Sequence, residues 1–253
     1  KTFRHMTYLI IGASSGLGRE LAKEFAKENC NLIIASRDER DLIAIKSDLE
    51  IKYKIKVNII ELDFSSIEEI EKKLFSQKLL IEEIKGVLFP IGTMFEQDTP
   101  MLNSENMKKL LHSNFISITY TIQRLRKHLI KKDNCTITGF GSVSGFLGRR
   151  INSVYAGAKR ALESYFESLA FDRDFKRINI QFYTLGYLDT NLSYGKNLKL
   201  PKGSIKKLSK IVFKNKSKNF KKISYPIYWN EFNLIIKMTP FIILRKFADM
   251  FSK

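Results

Sequence analysis

Short apolar runs alternate with amphipathic stretches along most of this chain. Thr7 to Ile11, Leu32 to Ala35, Val57 to Leu62, Gly86 to Phe89, Thr136 to Phe140 and Ile178 to Tyr183 are brief and largely apolar or β-branched. Runs of that length read as strands buried on both faces. Between them, Leu21, Ala22, Phe25 and Ala26 recur at helical spacing. A polar helix is predicted over about Asp38 to Lys54 and a charged one over about Ile67 to Leu79. A long helix follows from about Asn103 to Ile130, and another runs from Ser153 to about Asp172. Six strands alternating with helices predict a parallel sheet with right-handed crossovers, a doubly wound α/β fold. The alternation stops after about Asn191. Gly195 to Lys222 is lysine-rich without a clear period, and aromatic and apolar residues dominate from Tyr225 onward. The expected organisation is a catalytic sheet unit over residues 1–191, with residues 192–253 a lid and extension of the same domain.

Gly12-Ala13-Ser14-Ser15-Gly16-Leu17-Gly18 joins the first strand to the first helix. The first glycine permits the tight turn, the second lets backbone approach a pyrophosphate, and the third lets helix pack on strand. The helix N-terminus beyond offers unpaired amides and the positive end of a dipole. This loop therefore predicts a dinucleotide site built on Gly12, Ser14, Ser15, Gly16, Leu17 and Gly18. The second strand ends in Ser36-Arg37, where an acidic residue would select NAD. Serine does not repel a 2′-phosphate and arginine binds one bidentately, so NADP is the expected cofactor.

Tyr155 and Lys159 stand four residues apart, on one face of a helix. A phenol is a poor acid at neutral pH. A fixed ammonium ~4 Å away favours the phenolate by up to ~4 kcal/mol at an effective dielectric of ~20. Such a pair builds a proton donor for a developing alkoxide.

With these motifs in place, the chain resembles the short-chain dehydrogenase/reductase family over about residues 7 to 191, a Rossmann fold. The resemblance rests on Gly12-x-x-x-Gly16-x-Gly18, Asp63 after the third strand, Asn114, Ser142, Tyr155-x-x-x-Lys159 and the turn from Gly186 to Thr190. It implies that Tyr155 is the general acid or base and that Ser142 bonds the substrate oxygen. Lys159 would lower the tyrosine pKa and hold the nicotinamide ribose, and Asn114 would position a relay water. Asp63 would contact adenine, Thr190 the nicotinamide side, and Gly92 the cofactor. The family usually has threonine at Ile11, an Asn-Ala-Gly motif where Phe89-Pro90-Ile91-Gly92 stands, and Pro-Gly at Leu185-Gly186. Losing those asparagines removes bonds that brace the sheet. Gly148-Arg149-Arg150 before the tyrosine looks like the branch that reduces keto-sugars on lipid phosphates, such as decaprenylphosphoryl-2-ketoribose reductases. It implies Arg149 and Arg150 as substrate contacts; ordinary solvated arginines fit the loop as well.

Charge changes the picture at the C-terminus. The net charge is +18, and residues 196–253 carry fifteen Lys or Arg against Glu231 and Asp249. Anionic headgroups or phosphorylated substrates would suit that surface, and so would lysine-rich composition with no partner. The lysines lack regular aromatic interleaving, which argues against nucleic acid. The apolar tail is interrupted by Glu231, Lys237, Pro240 and Arg245-Lys246, so it is expected to lie on a membrane, or against the body or another subunit, and not to span a bilayer. Cys30 and Cys135 are far apart, as in a reducing compartment, and the basic start is not followed by a signal peptide's apolar region. A cytoplasmic enzyme, at the inner membrane face in the lipid reading, is the expectation. Trp229 reads as an anchor away from every cofactor motif, and no metal site is predicted. The family also implies a homo-oligomer. A small-metabolite or acyl reductase is the alternative substrate class. A non-catalytic dinucleotide sensor is the alternative function, although such proteins lose the tyrosine or lysine.

Overall fold

The computed structural model describes residues 6–95, 98–99, 101–189 and 201–246. Its centre is a seven-stranded parallel sheet in the order β3-β2-β1-β4-β5-β6-β7. The strands are β1 (Thr7–Ile11), β2 (Asn31–Ser36), β3 (Val57–Glu61), β4 (Ile84–Phe89), β5 (Cys135–Ser142), β6 (Ile178–Leu185) and β7 (Lys221–Tyr225). Both faces of the inner strands are covered. Leu9, Ile11, Ile33 and Ala35 enter one core; Tyr8, Ile10, Leu32 and Ile34 enter the other. This is why the strands read as unbroken apolar runs. The first core is closed by α6 (Ser117–Leu129) and α7 (Ser153–Phe171), through Ile118, Ile122, Leu125, Leu162 and Phe166. The second is closed by α1 (Gly16–Lys27), α2 (Glu39–Tyr53) and α8 (Ile205–Asn215).

Three elements differ from expectation. The charged helix is broken: α3 (Ile67–Glu69) continues as a π-helical turn to Phe75, and α4 (Lys78–Glu83) follows. The long helix is α5 (Ser104–Leu111) joined to α6 by a π-helical turn over His112–Ile116. The described part of the lysine-rich segment, from residue 201 onward, is ordered and not aperiodic. Ser204 caps α8, its hydroxyl accepting from the Lys207 N–H at 3.4 Å, and Leu208 and Val212 bury one face. The sequence does carry that stripe, Leu208 and Val212 standing four apart among the exposed Lys206, Lys207 and Lys210. The seventh strand, β7, forms the sheet edge. Its Lys222 lies 2.5 Å from both Glu163 and Glu167, and an edge strand carrying lysine resists pairing with another chain. Beyond it lie α9 (Trp229–Met238) and α10 (Phe241–Lys246).

The sheet order reverses at β1, with β2 on one side and β4 on the other. Open α/β sheets bind ligands at the carboxyl ends of the strands around such a reversal.

Candidate active site

A cavity of about 720 Å³ opens there, bounded by the ends of β1 to β6. Gly12, Ser14, Ser15, Gly16 and Leu17 line it, as do Arg37, Asp63, Gly92, Ser142, Arg149, Tyr155 and Lys159. Gly18 lies behind the wall: a Cβ there would be 2.8 Å from the Gly12 carbonyl carbon, so only glycine lets α1 seat on the loop. Gly12 and Gly16 hold φ of 94° and 50°, which side chains disfavour. Ser15 is the N-cap of α1 but its side chain makes no capping bond, and the first turn holds no acidic residue. The helix end thus presents amides to the cavity, which fits an anionic pyrophosphate. Arg150 is not on the cavity wall, although Arg149, Ile151 and Asn152 on either side of it are; the Arg149 Nη1 donates to the Ser144 hydroxyl at 3.3 Å. Thr190 lies outside the described residues.

At the β2 end, Arg37 faces the cavity beside Ser36 and Asp38. Asp38 escaped the sequence reading. Its carboxylate caps α2, accepting from the Arg40 and Asp41 N–H groups, and pairs with the Arg40 guanidinium at 3.2 Å. Burial disfavours ionised Asp63. The Ser65 N–H and hydroxyl, at 2.9 and 2.7 Å, and nearby Arg37 outweigh that and hold its carboxyl below the ordinary value.

The side chains expected to be catalytic sit at the β5 end. Ser142 closes β5, and its hydroxyl is hydrogen-bonded to the Tyr155 phenol. Lys159, one turn along α7, is buried, and its Nζ donates to the Ile91 and Phe140 carbonyls, each at 3.0 Å. That Nζ is 5.8 Å from the centre of the tyrosine ring. The expected lowering of the tyrosine pKa is not found. Burial pushes Tyr155 up to about 12 despite the Ser142 bond, and burial pushes Lys159 down to about 7. Carbonyl dipoles hold the ammonium, and near neutrality it is only partly charged, so its field on the phenol is weak. Asn114 is fully buried in the π-helical turn. Its amide donates to the Thr93 and Leu110 carbonyls at 2.8 and 2.9 Å and accepts from the Thr93 N–H at 3.3 Å. Widened turns of this kind recur at functional sites because they free the helix ladder for side-chain bonds. Here two of the three bonds go to Thr93, in the segment after β4.

Two contributors carried no local signal in the sequence. Asp98, fully buried, places its carboxylate on the first amides of α7. Trp229, expected to lie away from the cofactor motifs, packs its indole on Gly186, which lines the cavity after β6; the Tyr187 ring is 5.9 Å away.

The model of the short chain dehydrogenase family matches residues 6–200. The very-long-chain 3-oxoacyl-CoA reductase of Kluyveromyces lactis is 28% identical over 190 residues, covering 72% of this chain and 55% of that protein. The chain thus spans about half the length of the first curated relatives it matches. The 3-oxoacyl-[acyl-carrier-protein] reductase of Bos taurus is 25% identical over 207 residues, with 78% of this chain and 81% of that protein covered. Among solved structures, a short-chain dehydrogenase from Sphingobium yanoikuyae in complex with NADPH superposes with a TM-score of 0.75 at 20% identity, covering 85% of this chain and 87% of that one. With most of its length matched by the family model, the chain belongs to the short chain dehydrogenase family of NAD(P)-dependent oxidoreductases.

Proposed function

We propose that this chain is an NADP-dependent ketoreductase that acts on a carbonyl carried by a lipid or acyl chain. The observation that carries this reading is the Ser142–Tyr155–Lys159 set on the same cavity wall as the glycine loop. A bound nicotinamide dinucleotide supplies the hydride. Tyr155, whose raised pKa keeps its proton at neutral pH, donates it to the carbonyl oxygen as negative charge builds there. Ser142 holds that oxygen and stabilises the charge. The proton that Tyr155 gives up stays on the product hydroxyl, and the phenolate is reprotonated from solvent with Lys159, able to gain or lose a proton near pH 7, beside it. Asn114 fixes the Thr93 backbone beside them. NADP is favoured by Arg37 on the cavity wall, with the charge of Asp38 taken up by α2 and Arg40. The Sphingobium neighbour's NADPH agrees with it.

The 3-oxoacyl reductases among the relatives favour an acyl thioester. Arg149 on the cavity wall favours a second reading, a keto-sugar on a lipid phosphate. NADPH oxidation with 3-oxoacyl-CoA thioesters of increasing chain length, beside a polyprenyl-phosphate keto-sugar, separates them. Loss of turnover in Arg149→Ala with the second substrate alone selects the sugar. No oxidation with either class overturns the lipid-carbonyl reading.

The C-terminal helices support action at a membrane surface. No described helix is long and apolar enough to cross one. Leu234, Ile235, Met238, Phe241 and Ile242 are each more than half exposed. Residues 201–246 carry twelve Lys or Arg against Glu231 alone. An apolar face beside that much positive charge suits an anionic interface. Co-sedimentation with anionic vesicles that weakens with salt is expected. Equal partitioning to zwitterionic vesicles, or none to either, contradicts it.

A further inference from the structure

Asp98 has a place in this site that the roles above leave open. Its carboxylate is buried at the N-terminus of α7. Oδ1 accepts from the Val154 N–H at 3.0 Å and the Ser153 hydroxyl at 3.4 Å, and Oδ2 accepts from the Tyr155 N–H at 2.8 Å. Its backbone carbonyl takes the Asn152 N–H at 2.6 Å. The helix has no other cap. Asn152, at the N-cap, is in the left-handed region with φ 60°, its side chain makes no capping bond, and the first turn lacks an acidic residue. The cap therefore comes from a residue 57 positions from Tyr155, and the proton donor's own amide is one of its ligands.

The stretch leading to Asp98 is tied to the same residues at two further points. The Ile91 carbonyl holds Lys159 Nζ, and Thr93 is bonded at both backbone groups to Asn114. Met94 and Phe95 pack against the cluster of Leu110, Tyr155 and Ala158. Both members of the Tyr155–Lys159 pair are thus bonded to one segment, the first through its backbone and the second through its ammonium. We propose that Asp98 is a positioning residue that locks the start of the catalytic helix to the segment after β4, holding Tyr155 and Lys159 in register with Ser142. This rests on the reading of Tyr155 as proton donor.

Asp98→Ala, Asp98→Asn and, as a control, Ser66→Ala test it. Ser66 caps α3 by accepting the Glu69 N–H at 3.1 Å; it follows Ser65 at the β3 end of the cavity, not the β5 end, so for kcat it reports the loss of a helix cap without displacing Tyr155. With NADPH and a 3-oxoacyl-CoA probe, kcat is expected to fall about 100-fold in Asp98→Ala, the scale of a misplacement near 1 Å. The KM for NADPH should stay within about threefold. Asp98→Asn keeps one acceptor and should lose less, whereas Ser66→Ala should keep full kcat. Amide hydrogen exchange gives a readout independent of the probe. Val154, Tyr155, Thr93, Met94 and Phe95 should accelerate together, with the inner strands unchanged. If the wild type does not reduce the probe, the activity reading fails while the exchange pattern still decides the lock. Acceleration confined to Val154 and Tyr155, or kcat in Asp98→Ala within threefold of wild type, overturns the proposal.

Discussion

Gly186 and Trp229 offer a direct test of whether the C-terminal extension is built into the site. The Gly186 backbone does not need glycine for its torsion angles; what excludes a side chain is the indole above it. A Cβ would overlap the Trp229 nitrogen and stand 2.5 and 2.7 Å from Cδ1 and Cε2, about 1 Å inside the ~3.5 Å of an ordinary carbon contact. The glycine cannot retreat freely, because its N–H is bonded to the Tyr225 carbonyl at 2.8 Å. Gly186→Ala should therefore destabilise the fold by about 1–3 kcal/mol, the usual range for overpacking. Trp229→Ala should cost about 3–5 kcal/mol through the lost burial. In the Trp229→Ala background the added methyl has space, so Gly186→Ala should be neutral within ~0.5 kcal/mol. The double variant is then less destabilised than the sum by about 1–3 kcal/mol, above the scatter of independent sites. Urea unfolding of the four proteins measures this. It should be followed by far-UV circular dichroism, since Trp229 is the only tryptophan. Because Gly186 lines the cavity, NADPH affinity should weaken with it. Additive costs would refute the claim that the indole occupies the space over Gly186.

Other outcomes follow from the same contacts. Tyr155→Phe should lower kcat by about 10²–10⁴-fold while leaving NADPH affinity within about threefold; unchanged turnover would point to a dinucleotide sensor. Burial takes Lys159 from 10.5 to about 7. Between those values the unfolded chain holds the extra proton, so this group's contribution to stability rises with pH from about 7 to 10.5. In cofactor-free protein, the unfolding free energy of wild type minus that of Lys159→Met should climb by a few kcal/mol, roughly, across that window, and a flat or falling difference contradicts it. Arg37→Ala should weaken NADPH binding about 10- to 100-fold and NADH binding by no more than about threefold, measured by fluorescence titration.

What the chain disclosed in advance depended on how local the physics was. β1, β2 and β4 are buried on both faces, and that constraint is written into each as a continuous apolar run. The glycine loop and the Tyr155–Lys159 spacing are likewise local. α8 carried a legible stripe, Leu208 and Val212 four apart among lysines, that was passed over inside the lysine-rich composition, whereas β7 is short and opens on Lys221-Lys222, so it shows little apolar run. Trp229 and Asp98 were hidden for a different reason: the contact that brings each to the site is with a partner distant in sequence. The phenol pKa was misjudged because spacing gives separation but not burial, and burial is the dominant cause there.

The segment after β4 draws these strands of argument together. It is where the sequence departs from the family's Asn-Ala-Gly motif, so weaker bracing of the sheet was expected. The bracing is instead supplied by other means. Phe89 is buried in the core and faces Phe64 at 6.1 Å, and the Ile91 side chain closes against Gly12. The Ile91 carbonyl takes Lys159, Thr93 takes Asn114, and Asp98 takes the amides of Val154 and Tyr155. A side-chain hydrogen-bond brace is thus replaced by apolar packing plus backbone carbonyls. Those carbonyls cannot be removed by substitution, which makes the buried side chains Asn114 and Asp98 the two points at which the arrangement can be unlocked without touching Tyr155, Ser142 or Lys159. On the reading proposed above, the geometry of proton transfer is held from outside the Ser142–Tyr155–Lys159 set, by one segment that contacts the glycine loop at its start and α7 at Asp98.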